Sequence, residues 1–121
     1  MHFLGDEVGS LPCSYPLEAM KSGQVLLNNK LGIIMSTKYP TLDNPFEDEV
    51  DYCKKVLDGI IDDDTTFGLL YEPDNPNGDW TTDETILCHG NPLAIDVPVL
   101  WDNLIKNVTL LLKNPQHVQI F

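Results

Sequence analysis

The stretch from Asn44 to Pro73 constrains the fold most, because its apolar residues follow a helical repeat. They recur about every 3.6 residues and form one stripe: Phe46, Val50, Cys53, Leu57, Ile60 and Ile61. Asn44 suits the N-cap and Pro45 the first helical position. The acidic run Asp62–Asp64 is unfavourable near the negative end of a helix dipole. We therefore predict a helix from Pro45 to near Ile61.

Three short apolar runs predict strands, because each is bounded by turn-forming or polar residues. They are Phe3–Asp6, Leu31–Met35 and Phe67–Tyr71. The uninterrupted run Leu31–Met35 is typical of a buried parallel strand. We expect a small α/β unit in which the first two strands are parallel and the long helix packs its stripe on the sheet.

Two further helices follow from the same reasoning. Leu17–Lys21 predicts a short helix that stops at Gly23. Pro98–Lys113 predicts a longer helix with a regular apolar face, and Asp96 is the expected cap.

Composition restricts the possible partners. The 121 residues include 19 acidic side chains and 7 basic ones, all of them lysine, so the net charge is −12. Such a charge argues against autonomous binding to nucleic acid or to anionic membranes. Cys13, Cys53 and Cys88 stand singly, which predicts neither a zinc site nor a disulfide framework. With neither a secretory signal nor a membrane-spanning run in sight, we expect a cytoplasmic protein.

A family resemblance lies in the central stretch DYCKKVLDGIIDDDTTFGLLYEPD. It resembles the segment that follows the ATPase core in large terminase subunits of tailed bacteriophages, the motors that package DNA into phage heads. The resemblance is strongest from about Lys21 to Asn91. It implies part of a P-loop-type three-layer α/β unit with an incomplete, mainly parallel sheet. Residues 1–73 would then be the C-terminal part of the ATPase core, and residues 74–121 a linker or lid segment leading toward a nuclease domain.

The N-terminal run MHFLGDE has the form of a Walker B strand, which is an apolar run that ends in Asp-Glu. The resemblance implies that Asp6 holds the nucleotide's magnesium and that Glu7 is the catalytic residue that polarises the attacking water. The alternative is a polar strand end that faces water.

The second apolar run is followed by Ser36 and Thr37. In terminases a strand of this kind ends in a Ser/Thr-rich coupling motif that senses the γ-phosphate. By resemblance Ser36 and Thr37 would therefore contact the nucleotide cofactor. The equal alternative is that these hydroxyls close the strand end.

The printed sequence contains no GxxxxGK[ST] motif and no arginine. It therefore has no phosphate-cradling loop and no arginine finger. Magnesium and ATP are expected only in the context of a complete terminase, and whether the chain belongs to an enzyme stays open. The family's partners are the terminase small subunit, the portal and double-stranded DNA, in the cytoplasm of a bacterial host. The chain could be an expressed fragment, a prophage remnant or a repurposed small protein.

A different class of function rests on the charge alone. The chain could be a non-enzymatic acidic interaction protein, such as a phage-encoded inhibitor that mimics nucleic acid. This alternative needs six carboxylates on one exposed face: Asp48, Asp51, Asp58, Asp62, Asp63 and Asp64. Independently of function, an incomplete sheet leaves an unpaired edge, so we expect the isolated chain to be able to self-associate.

Overall fold

The computed structural model describes residues 1–39, 41 and 43–114. The described part of the chain forms two compact units that divide between Gly68 and Leu69, whereas the sequence placed the division after Pro73. The first unit contains β1 (His2–Asp6), a 3₁₀ turn (Val8–Ser10), α1 (Tyr15–Ser22), β2 (Leu31–Met35) and α2 (Pro45–Leu57). The second contains α3 (Glu84–Gly90), α4 (Leu93–Asp96) and α5 (Pro98–Lys113).

The two predicted N-terminal strands form a small parallel sheet. β1 and β2 pair in a register that runs from His2 opposite Leu31 to Asp6 opposite Met35. The buried side chain of Gln24 joins their N-terminal ends, because its amide nitrogen donates to the carbonyls of Met1 at 3.0 Å and Leu31 at 3.2 Å. With α1 between the strands in sequence, this is compatible with the small α/β unit expected.

The two faces of this sheet differ in burial. On the inner face Gly5 is buried against Val8, a side chain that is only 2% exposed. On the outer face Leu4, Leu31 and Ile33 retain 60%, 51% and 46% of their exposure. The prediction that Leu31–Met35 is a buried strand is therefore wrong for its outer face, because no described helix or loop covers it.

Helix α2 begins as predicted, with Pro45 in its first turn and the Asn44 side chain accepting the Phe46 N–H at 3.1 Å. It ends at Leu57, earlier than the predicted Ile61. Gly59 adopts a left-handed conformation (φ 71°), and the Ile60 N–H donates back to the Lys55 carbonyl at 2.9 Å. This is the Schellman arrangement that closes a helix at glycine, so Gly59 stops the helix before the three aspartates are reached.

The apolar stripe of α2 is covered only in its first half. Phe46, Val50 and Cys53 are half-buried, whereas Leu57 and Ile60 are 58% and 72% exposed. The helix packs chiefly on the 3₁₀ turn that follows β1. The prediction that the stripe packs on the sheet is therefore wrong: its first half packs chiefly on this turn, and Leu57 and Ile60 remain exposed where the chain turns at Gly59.

The predicted third strand, Phe67–Tyr71, is wrong: these residues are irregular. Phe67, Leu69 and Tyr71 are 89%, 65% and 62% exposed. An apolar run becomes a strand only when a neighbouring strand satisfies its backbone groups. Among the described residues β1 and β2 pair only with each other.

The C-terminal helix has the predicted bounds, Pro98–Lys113. Asp96 does not cap it: that residue closes α4, and Val97 holds the cap position in an extended conformation (φ −121°, ψ 96°) without a side-chain hydrogen bond. Proline forces the preceding residue out of the helical region. Pro98 therefore sets the start of α5, and Asp96 lies one residue too early.

None of the described helices combines the length and apolarity needed to cross a bilayer.

Candidate functional site

The carboxyl ends of β1 and β2 bring the four predicted site residues to one edge of the sheet. Asp6 and Met35 are the paired last residues of the two strands, so Glu7 and Ser36 follow side by side. The two segments are joined directly, because the Gly9 N–H donates to Ser36 Oγ at 2.9 Å. Asp6–Glu7 and Ser36–Thr37 therefore lie at neighbouring strand ends.

Glu7 has an unusual backbone conformation. Its φ of 53° and ψ of 39° lie in the left-handed region, which residues other than glycine seldom occupy. The surrounding hydrogen bonds hold it there: the Glu7 N–H donates to Asp6 Oδ1 at 3.0 Å, and the Glu7 carbonyl accepts from Ser10 Oγ at 2.7 Å. Such conformations persist where their surroundings over-determine them, often at functional sites.

The carboxylate of Glu7 is held by Tyr39, which lies in the irregular segment after β2. Tyr39 Oη donates to Glu7 Oε2 at 2.8 Å. This hydrogen bond raises the pKa of the Tyr39 phenol, with partial burial and the negative charge of Glu7 acting in the same direction. Neutral Tyr39 is therefore favoured as the donor.

Gly9 makes the close approach of these groups possible. A Cβ at this position would lie 2.5 Å from Tyr39 Cδ2 and 3.1 Å from the Thr37 carbonyl oxygen. Neither Gly9 nor Tyr39 was identified from the sequence. The available signal was the pattern of a glycine just after the Asp-Glu pair and a tyrosine just after the Ser-Thr pair.

The Ser36 and Thr37 hydroxyls differ in their surroundings. Ser36 Oγ accepts the Gly9 N–H and donates to the Thr37 carbonyl at 3.1 Å, so it closes the strand end. Thr37 is exposed at the same edge. The strand-closing interpretation therefore describes Ser36 in this structure, and Thr37 is the residue with its side chain open to a ligand.

Asp6 supplies the donor chemistry that magnesium prefers. Its carboxylate is exposed, and Mg²⁺ is commonly held by one or two carboxylates together with waters and substrate phosphates. Across the residues that the structure describes, no three His, Cys, Asp or Glu side chains converge as a complete metal site. Asp6 thus fits a cation shared with a phosphate ligand, in which the protein provides few of the ligands.

The acidic residues of the alternative function lie elsewhere in the first unit. Five of the six are exposed: Asp48, Asp51, Asp58, Asp62 and Asp64. Asp63 differs, because its carboxylate accepts hydrogen bonds from Tyr52 Oη, from the Thr65 N–H and hydroxyl, and from the Thr66 hydroxyl. The threonine hydroxyls, then Tyr52, lower the pKa of Asp63 strongly.

Comparisons of the chain with models of known families, with curated proteins and with solved structures found no match.

Proposed function

We propose that the chain is the part of a terminase-like ATPase core that positions magnesium and the attacking water, followed by the segment that leads out of the core. The observation that carries this proposal is the placement of Asp6–Glu7 and Ser36–Thr37 at adjacent carboxyl ends of parallel strands. In open α/β sheets, ligands bind outside the carboxyl ends of the strands. The resemblance between about Lys21 and Asn91 supports the same assignment.

Each residue has a distinct role in this proposal. Asp6 would hold Mg²⁺, which neutralises charge on the nucleotide phosphates when it is bound. Glu7 orients the attacking water and accepts its proton. Thr37, which is exposed at the strand end, would contact the nucleotide phosphates, and Ser36 ties that end to the turn after β1.

The other parts of phosphoryl transfer lie outside this sequence. The printed chain has neither a P-loop nor an arginine, so the cradle for the β- and γ-phosphates must come from another part of the motor. The terminase small subunit, the portal and double-stranded DNA are accordingly partners of the whole motor.

Metal binding tests the proposed site. Mn²⁺, a paramagnetic substitute for Mg²⁺, should broaden the amide resonances of Glu7 and Thr37 before those of other residues. Asp6→Asn should abolish this selectivity. The control Asp62→Asn/Asp64→Asn removes two exposed carboxylates elsewhere and should leave it intact. Broadening centred on residues 62–64, or unchanged by Asp6→Asn, would contradict the proposal.

Activity supplies a second prediction: the isolated chain should release no phosphate from ATP in the presence of magnesium. Catalysis of this reaction consists mainly of positioning and charge stabilisation, and two carboxylates provide only part of it. A phosphate-release assay on the purified chain and on Asp6→Asn/Glu7→Gln should give the same background rate. Turnover that disappears in the double variant would show a phosphate site within the chain and overturn this prediction.

The acidic interaction protein is a second proposal, because Asp48 and Asp51 in α2 and Asp58 at its C-cap are exposed. These three positions lie on one side of the helix. If the chain acts as a nucleic-acid mimic, it should displace duplex DNA from a basic DNA-binding protein, and Asp48→Asn/Asp51→Asn/Asp58→Asn should not. Asp6→Asn/Glu7→Gln is the matched control. Equal displacement by both variants would show a nonspecific charge effect.

A further inference from the structure

The segment after β2 contacts the segment after β1 at two points of different kinds. In one, the main-chain N–H of Gly9 donates to the Ser36 hydroxyl oxygen at 2.9 Å. In the other, two side chains meet, and Tyr39 Oη donates to Glu7 Oε2 at 2.8 Å. The orientation of the Glu7 carboxylate is therefore tied to the segment Ser36–Tyr39.

Three features make the second contact well defined. The left-handed backbone of Glu7 fixes the direction in which its side chain leaves the chain. Gly9 lets the Tyr39 ring approach the turn closely, since a Cβ there would meet Tyr39 Cδ2 at 2.5 Å. The acceptor is a carboxylate, and hydrogen bonds to ionised groups are stronger than those between neutral groups.

We propose that Tyr39 is a positioning residue for Glu7: its hydroxyl holds the carboxylate in one orientation and couples that orientation to the Ser36–Tyr39 segment. This inference rests on the proposed function for the role of Glu7 in catalysis. Displacement of the Ser36–Tyr39 segment would release the Glu7 carboxylate. Conversely, loss of that carboxylate would change the conformation of the Ser36–Tyr39 segment. Tyr39 touches neither nucleotide nor water in this scheme and acts through Glu7.

The first test is the side-chain rotamer of Glu7 in the full chain, read from three-bond scalar couplings by NMR. In the unmodified protein the couplings should correspond to one dominant χ1 rotamer. Tyr39→Phe keeps the ring over Gly9 and removes only the hydroxyl, so the Glu7 couplings should move toward rotamer-averaged values. The control is Tyr15→Phe, which removes a hydroxyl from a side chain that is 73% exposed. Unchanged Glu7 couplings in Tyr39→Phe would overturn the proposal.

The second test measures coupling between the segments. Glu7→Ala should shift the amide resonances of Thr37 and Lys38, and the same substitution made in Tyr39→Phe should shift them several-fold less. A purely structural role for the tyrosine ring would leave the two shifts equal, which would contradict the proposal. If Tyr39→Phe does not fold, the Cζ resonance of Tyr39 reports the same bond from its other end. It should move in Glu7→Ala but not in Asp64→Ala, and an equal response to both would overturn the proposal.

The experiments distinguish failure of the Tyr39 proposal from failure of the proposed function. Selective Mn²⁺ broadening with unchanged Glu7 couplings would retain the metal site and reject Tyr39 as a positioning residue. Tyr39-dependent couplings without selective broadening would retain the contact and reject its catalytic meaning.

Discussion

Gly9 lies where the turn after β1 contacts the segment after β2. Its N–H donates to Ser36, and a side chain at this position would meet Tyr39 and the Thr37 carbonyl. The Thr37 carbonyl oxygen belongs to the main chain, so it cannot shift without moving the end of β2. The absence of a Cβ at residue 9 is therefore a condition for the geometry of the candidate site.

Gly9→Ala should destabilise the first unit by about 1–3 kcal/mol, the usual effect of overfilling a packed position. Gly90→Ala is the matched control, because nothing lies within 4 Å of a Cβ built there. Urea denaturation followed by the resonances of Gly5 and Val8 measures the first effect. Equal stability of the two variants would show that the turn after β1 relaxes freely.

The Asp63 carboxylate accepts four hydrogen bonds and connects α2 to the turn that follows it. Its four hydrogen bonds come from α2 through Tyr52 and from its own turn through Thr65 and Thr66. They stabilise the ionised carboxylate and lower its pKa from the ordinary value of 3.8. Asp63 therefore organises the chain after α2, although the sequence places it within a run of three equivalent aspartates.

The linkage between protonation and folding gives Asp63 a defined pH dependence. Because its pKa is lower in the folded state, its contribution to stability is present above pH 3.8 and is lost as the pH falls through the folded-state pKa. Asp63→Asn should be less stable than the unmodified chain near pH 6, with a smaller difference below pH 3. Denaturation at the two pH values measures this, with the exposed Asp64→Asn as control. A difference that grows on acidification would contradict the assignment.

At the scale of elements, α2 has both ends defined by single residues. Asn44 is only 6% exposed; its Oδ1 accepts the Phe46 N–H while its Nδ2 donates to the Thr41 carbonyl. Gly59 closes the other end. The sequence predicted the start correctly because a cap acts over two or three residues. The predicted end at Ile61 was wrong because Gly59, with its left-handed backbone, closes the helix before the aspartates are reached.

Asn44→Ala should cost about 0.5–2 kcal/mol, the typical effect of removing an N-cap side chain. Asn44→Asp is the informative comparison, because it keeps an acceptor for the Phe46 N–H and removes the donor to Thr41. Asn44→Asp should therefore recover most of the stability that Asn44→Ala loses. Chemical denaturation monitored by the helical signal gives both values, and no difference between Asp and Ala at this position would show that the cap is not what stabilises the start of α2.

The sheet of the first unit has only two strands among the described residues. Each of its two strands has one strand neighbour among the described residues, and its outer face exposes Leu4, Leu31 and Ile33. Two-stranded sheets are marginal by themselves, and open edges invite pairing with another chain. The net charge of −12 opposes association of two copies.

The isolated chain should consequently self-associate at high concentration, and more strongly as salt screens its charge. Light scattering over a range of salt concentrations measures this. Ile33→Lys places a charge on the outer face of the sheet and should reduce association. Ile60→Lys, at a side chain 72% exposed in the turn after α2, should not. A strict monomer at high salt and high concentration would exclude the edge and outer face as a self-association surface.

The positions of the two N-terminal strands, the start of α2 and the bounds of α5 follow from the sequence alone. Each depends on residues that are neighbours in the chain, such as the Asn44–Pro45 cap or Pro98. The placement of Asp6–Glu7 beside Ser36–Thr37 was also predictable, since parallel strands present their carboxyl ends at the same edge.

The other features depend on the folded chain, because the contacts that decide them join residues far apart in sequence. Phe67–Tyr71 has the composition of a strand, but among the described residues it pairs with no strand. Leu31 and Ile33 have the composition of a core but remain 51% and 46% exposed. Tyr39 reads as part of a loop until the fold brings its hydroxyl to Glu7, thirty-two residues earlier in the chain. A strand requires a neighbouring strand, a core position requires a covering element, and a fixed carboxylate requires a hydrogen-bond donor. The folded chain decides whether each of these is present.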